Sequence, residues 1–149
     1  MTQHIEGGCR CGAARYTLAV DAVPQVYCCH CLYCQRWSGS AFTQQAIVPE
    51  AALTAAGPIV AYAYDTDSGA TSTHRLCGTC HSRLWNDNTR LPGYIVVRAG
   101  TLDISDTLVP AAHIWVKRKQ PWIVIDDAVP TFAESASPAE FMAIVLGGG

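Results

Sequence analysis

Apolar and polar positions alternate along this chain in short runs. Residues 14–20, ARYTLAV, switch with a period of two, the period at which successive side chains leave a strand on opposite faces. Residues 41–48, 60–64 and 94–98 are rich in β-branched and aromatic residues and read as further strands. Two more runs, His113-Ile114-Trp115-Val116 and Trp122-Ile123-Val124-Ile125, flank a turn-like Arg118-Lys119-Gln120-Pro121. Pro24, Pro49, Gly57-Pro58, Gly69, Pro92-Gly93, Gly100, Pro110 and Pro130 separate these segments. That spacing predicts a mainly β protein with antiparallel sheets in one or two packed layers. A helical pattern is clear once: Ser137 offers an N-cap, Pro138 the first helical position, and Glu140 the acidic residue three after the cap. This predicts a helix over 138–146 that ends at three glycines and closes a sheet edge.

Composition narrows the class. The chain has 149 residues, half of them hydrophobic and 15% charged, which suits a single domain, 1–149, with a packed core. A formal charge of −2 lacks the basic excess of a general nucleic-acid binder, so nucleic acid is not an expected partner. No run reaches the roughly 20 apolar residues of a membrane span, and no cationic segment leads into an apolar run near the start. A reducing cytoplasm is the expected location. There, eight cysteines read as metal ligands or reactive thiols rather than as disulfides.

The cysteines form three groups. Cys9-Arg10-Cys11 places two thiols on one face if the chain is extended, and Cys77-Gly78-Thr79-Cys80 has the zinc-knuckle spacing, with Gly78 free to adopt the turn. Together the two pairs would make a closed four-thiolate structural zinc site that ties the N-terminus to the middle of the chain, the alternative being a redox-active pair or buried free thiols. The third group, Cys28-Cys29-His30-Cys31-Leu32-Tyr33-Cys34, is different. Cys29 and Cys31 share a face, Cys34 follows at knuckle spacing, and Cys28 points away, as a small core residue. Three thiolates leave one tetrahedral position open, the mark of a catalytic rather than a structural zinc. His30, lying between two ligands, should face away from both. His81 and His113 remain alternatives for the fourth position.

Gly8-Cys9-Arg10-Cys11-Gly12-Ala13, Cys29-His30-Cys31-Leu32-Tyr33-Cys34-Gln35-Arg36, Ser38-Gly39-Ser40-Ala41-Phe42, Cys77-Gly78-Thr79-Cys80 with Ser82, Gly100-Thr101-Leu102-Asp103 and His113-Ile114-Trp115 ahead of Pro121-Trp122 occur in that order. In this the chain resembles the glutathione-dependent formaldehyde-activating enzyme (GFA) family, which includes centromere-protein-V-like proteins. The resemblance implies a GFA-like fold: a zinc-ribbon-like four-cysteine clamp, a short helix after the second cysteine cluster, and the C-terminal helix. It also implies two zinc ions, with Cys9, Cys11, Cys77 and Cys80 at the structural site and Cys29, Cys31 and Cys34 at the site associated with activity. The family commonly has glycine where this chain has His81.

The implied function is a zinc-dependent carbon–sulfur lyase that forms or cleaves a thiol–aldehyde adduct such as S-hydroxymethylglutathione. Its partners are then a small thiol such as glutathione and a small aldehyde such as formaldehyde. Arg36, Lys117, Arg118 and Lys119 are candidates to bind the carboxylates of the thiol, since a guanidinium matches carboxylate geometry. The alternative is a non-enzymatic zinc module that binds a protein or nucleic-acid partner. The open position on the three-cysteine site favours the enzyme.

Overall fold

Strand-forming runs and tight turns dominate the computed structural model, which describes residues 1–147. Ten strands and two helices follow in the order β1 (Gln3–Gly8), β2 (Arg15–Val20), β3 (Val26–Cys29), α1 (Leu32–Ser38), β4 (Thr43–Pro49), β5 (Leu53–Ala56), β6 (Ile59–Asp65), β7 (Thr71–Cys77), β8 (Arg83–Asn88), β9 (Tyr94–Arg98), β10 (Pro110–Ile114) and α2 (Pro138–Leu146). The last two of the three terminal glycines lie outside the described residues. The chain forms two compact units, one from Met1–Val23 and Ile47–Thr107, the other from Pro24–Ala46 and the chain from Leu108 onward. No helix among the described residues is long and apolar enough to cross a membrane.

In the first unit, β1, β2 and β5 make a three-stranded antiparallel sheet. The period-two pattern of β2 puts Tyr16 and Leu18 inward, in register with Gly7 and Ile5 on β1. Gly7 has a specific purpose: a Cβ there would run into the Tyr16 ring. Tyr16 also packs edge-on to Trp85 of β8, with ring centroids 6.0 Å apart. Strands β6, β7, β8 and β9 pair antiparallel in sequence order, and Leu84, Ile95 and Val97 are buried among them.

In the second unit, β3 pairs antiparallel with β4 and parallel with β10, so Cys29 lies opposite Thr43 on one side and Ile114 on the other. The parallel pair makes the β structure mixed rather than wholly antiparallel. All four β3 residues are buried, which suits a strand covered on both faces. Helix α2 has the bounds its capping pattern predicts, with the Ser137 hydroxyl accepting the Glu140 N–H. It packs by β10, and Phe141 meets Tyr27 of β3 at 4.7 Å between centroids. The predicted run at 122–125 is not a strand. The Ile123 N–H bonds to the Gln120 carbonyl in a turn, and Trp122 and Val124 stand in solvent.

Candidate metal centres

The first cluster lies wholly in the first unit. The sulfurs of Cys9, Cys11, Cys77 and Cys80 all lie within 4.8 Å of one another. Cys9 and Cys11 reach this point differently from the extended-chain expectation: the loop after β1 turns, with the Gly12 N–H bonded to the Cys9 carbonyl and the Cys9 N–H to that of Ala14. Cys77 ends β7 with no exposed surface, and the knuckle wraps its sulfur in two backbone donors, Thr79 N–H at 3.4 Å and Cys80 N–H at 3.5 Å. Gly78 matters less for its backbone angles than for a close approach, because a Cβ there would press on the Pro58 carbonyl at 3.2 Å. The left-handed residue of the turn is His81, at φ 62°, which is exposed and not among the clustered ligands.

The distances suit zinc. Four sulfurs at the usual zinc–sulfur bond length stand about 3.8 Å apart in a tetrahedron, and here Cys9–Cys11 is 3.6 Å and Cys11–Cys77 is 3.9 Å. The thiols are electrostatically uneven without a cation. Hydrogen bonds from the Ser82 hydroxyl and backbone pull Cys80 down to about 5. Cys11, despite the Ala13 backbone donor, is pushed up to about 11 by the neighbouring Cys9 sulfur. Four adjacent sulfurs resist sharing four negative charges unless a cation sits among them. Ser82 also accepts the Arg10 N–H at 3.1 Å, so one hydroxyl links both ligand pairs.

The second cluster lies wholly in the second unit. Cys29 is the last residue of β3, Cys31 is the N-cap of α1, and Cys34 is buried in that helix's first turn. The strand-to-helix junction therefore brings the three sulfurs within 4.8 Å of one another. The short helix expected after the cluster begins inside it. The Cys31 sulfur accepts the Cys34 N–H at 3.4 Å, as an N-cap oxygen would. Gly39, at φ 64°, closes the helix by donating its N–H to the Gln35 carbonyl at 2.8 Å. Packed against Cys31 and Cys34 and buried, the Cys29 thiol is driven strongly upward. An all-sulfur set of this span can hold a metal ion and suits zinc.

Cys28 belongs to neither cluster; it is buried, and burial raises its thiol to about 12. No histidine, aspartate or glutamate atom joins either cluster among the described residues. His30 is fully buried and faces His113, with Nε2 2.8 Å from Nδ1, and burial lowers it to about 4. Gln45, which drew no notice in the sequence, donates its Nε2 to the Cys34 sulfur at 3.4 Å and to the Thr43 hydroxyl at 2.7 Å. A lone amide inside a strand gives no periodic signal.

The basic candidates separate. Arg36 lines an open cleft of about 420 Å³ with Leu32, Gln35, Ser40, Gln120 and Trp122. The cleft's positions on α1, 32, 35 and 36, share one helix face, whereas Cys34 is on the buried one. Lys117 pairs with Glu134 and lies over the Trp115 ring, 5.2 Å from its centroid. Lys119 donates to the Ile123 carbonyl at 2.7 Å and the Gln120 carbonyl at 3.4 Å, pinning the turn that replaces the expected strand.

These features define a mainly β protein carrying two cysteine clusters able to hold metal. The family model for glutathione-dependent formaldehyde-activating enzymes matches residues 4–118, and the chain belongs to that family. A solved structure of a Rhodobacter sphaeroides protein shares the fold, at TM-score 0.53 and 20% identity over 66% of this chain and 87% of that one. No curated protein matches the sequence.

Proposed function

We propose that this protein is a zinc-dependent carbon–sulfur lyase that joins a small thiol such as glutathione to a small aldehyde such as formaldehyde, or parts them. The observation that carries this reading is the three-sulfur cluster of Cys29, Cys31 and Cys34, which no fourth cysteine, histidine or carboxylate completes among the described residues. In the forward direction the substrate sulfur bonds to the carbonyl carbon while its proton passes to the carbonyl oxygen; the reverse step breaks the same carbon–sulfur bond. Zinc, when bound, would stabilise the substrate thiolate that acts as nucleophile. Cys29, Cys31 and Cys34 would hold that ion, while Cys9, Cys11, Cys77 and Cys80 would hold a structural one. In the same reading residues 1–149 act as a single zinc-binding domain in the cytoplasm. Arg36 is the best placed of the basic candidates to meet a substrate carboxylate, since Lys117 and Lys119 have partners of their own.

The test is exchange spectroscopy on glutathione mixed with a series of small aldehydes. The zinc-loaded protein should accelerate hemithioacetal exchange at least tenfold over the uncatalysed rate for one of them. A rate equal to background for every aldehyde would overturn the lyase reading and leave a non-enzymatic zinc module.

A further inference from the structure

A site built of three thiolates has a chemical handicap. Each sulfur donates charge to the ion, so the ion's attraction for a fourth, incoming group is weakened with every ligand added. We infer that Gln45 is a positioning residue that offsets this handicap by drawing charge off the Cys34 sulfur. The inference rests on the assignment of Cys29, Cys31 and Cys34 as ligands and extends it to a residue outside the cysteine pattern.

Three observations carry it. Gln45 is buried, 7% exposed, on β4, so its amide must find partners inside the protein. Its Nε2 reaches the Cys34 sulfur at 3.4 Å, an ordinary N–H···S distance, and the Thr43 hydroxyl, itself buried, at 2.7 Å. Both amide protons are thus committed. A sulfur that ligates a metal carries no proton and can only accept, so the group facing it must be a donor. That requirement fixes which end of the amide points at Cys34, and Thr43 holds it there as a hydrogen-bond acceptor. Partners one step out from a ligand orient it and tune the metal, and their loss typically costs about 10–100-fold in metal affinity or activity.

The experiment compares the wild-type protein with Gln45→Met, which keeps length and removes both donors, and with Thr43→Val, which removes only the amide's anchor. Each is loaded with cobalt(II), and the sulfur-to-cobalt charge-transfer bands are recorded. Zinc affinity is then read by titration with a chromogenic chelator. Gln45→Met should move the charge-transfer bands to longer wavelength, because an unbonded thiolate gives up electrons more easily. It should also weaken retention of the more weakly held zinc about tenfold, because Cys34 loses the partner that orients its sulfur. Thr43→Val should show the same change to a smaller extent. A Gln45→Met spectrum and affinity equal to wild type would overturn the inference, as would equal spectral shifts in both variants, the mark of a packing change alone. If Gln45→Met does not fold, Thr43→Val decides the matter by the presence or absence of its smaller shift. The outcome is separable from the lyase reading. A shifted cobalt spectrum in a protein with no exchange activity supports Gln45 and sinks the lyase, whereas an active protein indifferent to Gln45→Met does the reverse.

Discussion

At the scale of single residues, the clearest tension in the chain is His81. It sits at φ 62°, where a side chain's Cβ crowds the backbone and glycine does not, while donating its N–H to the Cys77 carbonyl at 2.9 Å. Its ring is exposed and contributes no ligand atom to the knuckle beside it. The backbone shape is therefore demanded by the metal-ligand turn, and the imidazole is tolerated rather than used. His81→Gly should stabilise the zinc-loaded protein by about 1 kcal/mol, the cost of the left-handed conformation less the extra freedom of glycine when unfolded. Denaturant titration reads this directly. A loss of stability instead would mean that the ring has a role at the clamp. Trp115, also left-handed at φ 58°, is a contrasting case: its indole donates to the Ser135 hydroxyl at 3.1 Å and lies under Lys117, so removing it forfeits contacts that relief of strain does not return.

At the scale of elements, Cys31 is both a candidate ligand and the N-cap of α1. Serine is among the best N-caps, so Cys31→Ser keeps the helix start while removing a thiolate. We expect this variant to lose one zinc, measured by elemental analysis, with a Tm within about 4 °C of wild type. Cys31→Ala removes the cap as well and should cost about 1 kcal/mol more. Cys77→Ser acts on a fully buried sulfur of the four-cysteine cluster and should unfold much of the chain. If Cys31→Ser unfolds as badly, the three-sulfur cluster is structural. The legibility of these elements followed the kind of signal each carried. Strand β9 and helix α2 were plain because their patterns and caps are local, and both have the predicted bounds. Strands β7 and β8 were hidden, since their inward positions include Ser72, His74 and Asn86, which bury polar groups in mutual hydrogen bonds instead of apolar ones. The 122–125 run misled because its apolar residues are held in a turn by Lys119 and left in water. Both clusters were readable from cysteine spacing; Gln45 and the His30–His113 contact were not, because they depend on pairing between strands and between segments far apart in sequence.

At the scale of the whole molecule, the route of the chain makes a demand on stability. Neither unit is a continuous stretch: each is assembled from two segments, and the chain passes from one unit to the other three times. The second unit cannot close until β10 lies beside β3, nor the first until the Cys77–Cys80 knuckle meets Cys9 and Cys11. Because the two segments of each unit are separated by a stretch of the other, we propose that the two fold together as one cooperative domain. Calorimetry of the zinc-loaded protein should give a single transition with calorimetric and van't Hoff enthalpies in agreement; two resolved transitions would overturn the one-domain reading. Graded chelation then separates the two metals. The three-sulfur cluster has fewer protein donors, so its ion should leave first, with a Tm change of no more than about 4 °C. The ion of the four-sulfur cluster should leave last and take the fold with it, because it crosslinks ligands 66 residues apart in the chain and its binding energy is folding energy. Chelation that empties both sites together, or that unfolds the chain as the first ion departs, would show that the two clusters do not divide the work between architecture and chemistry.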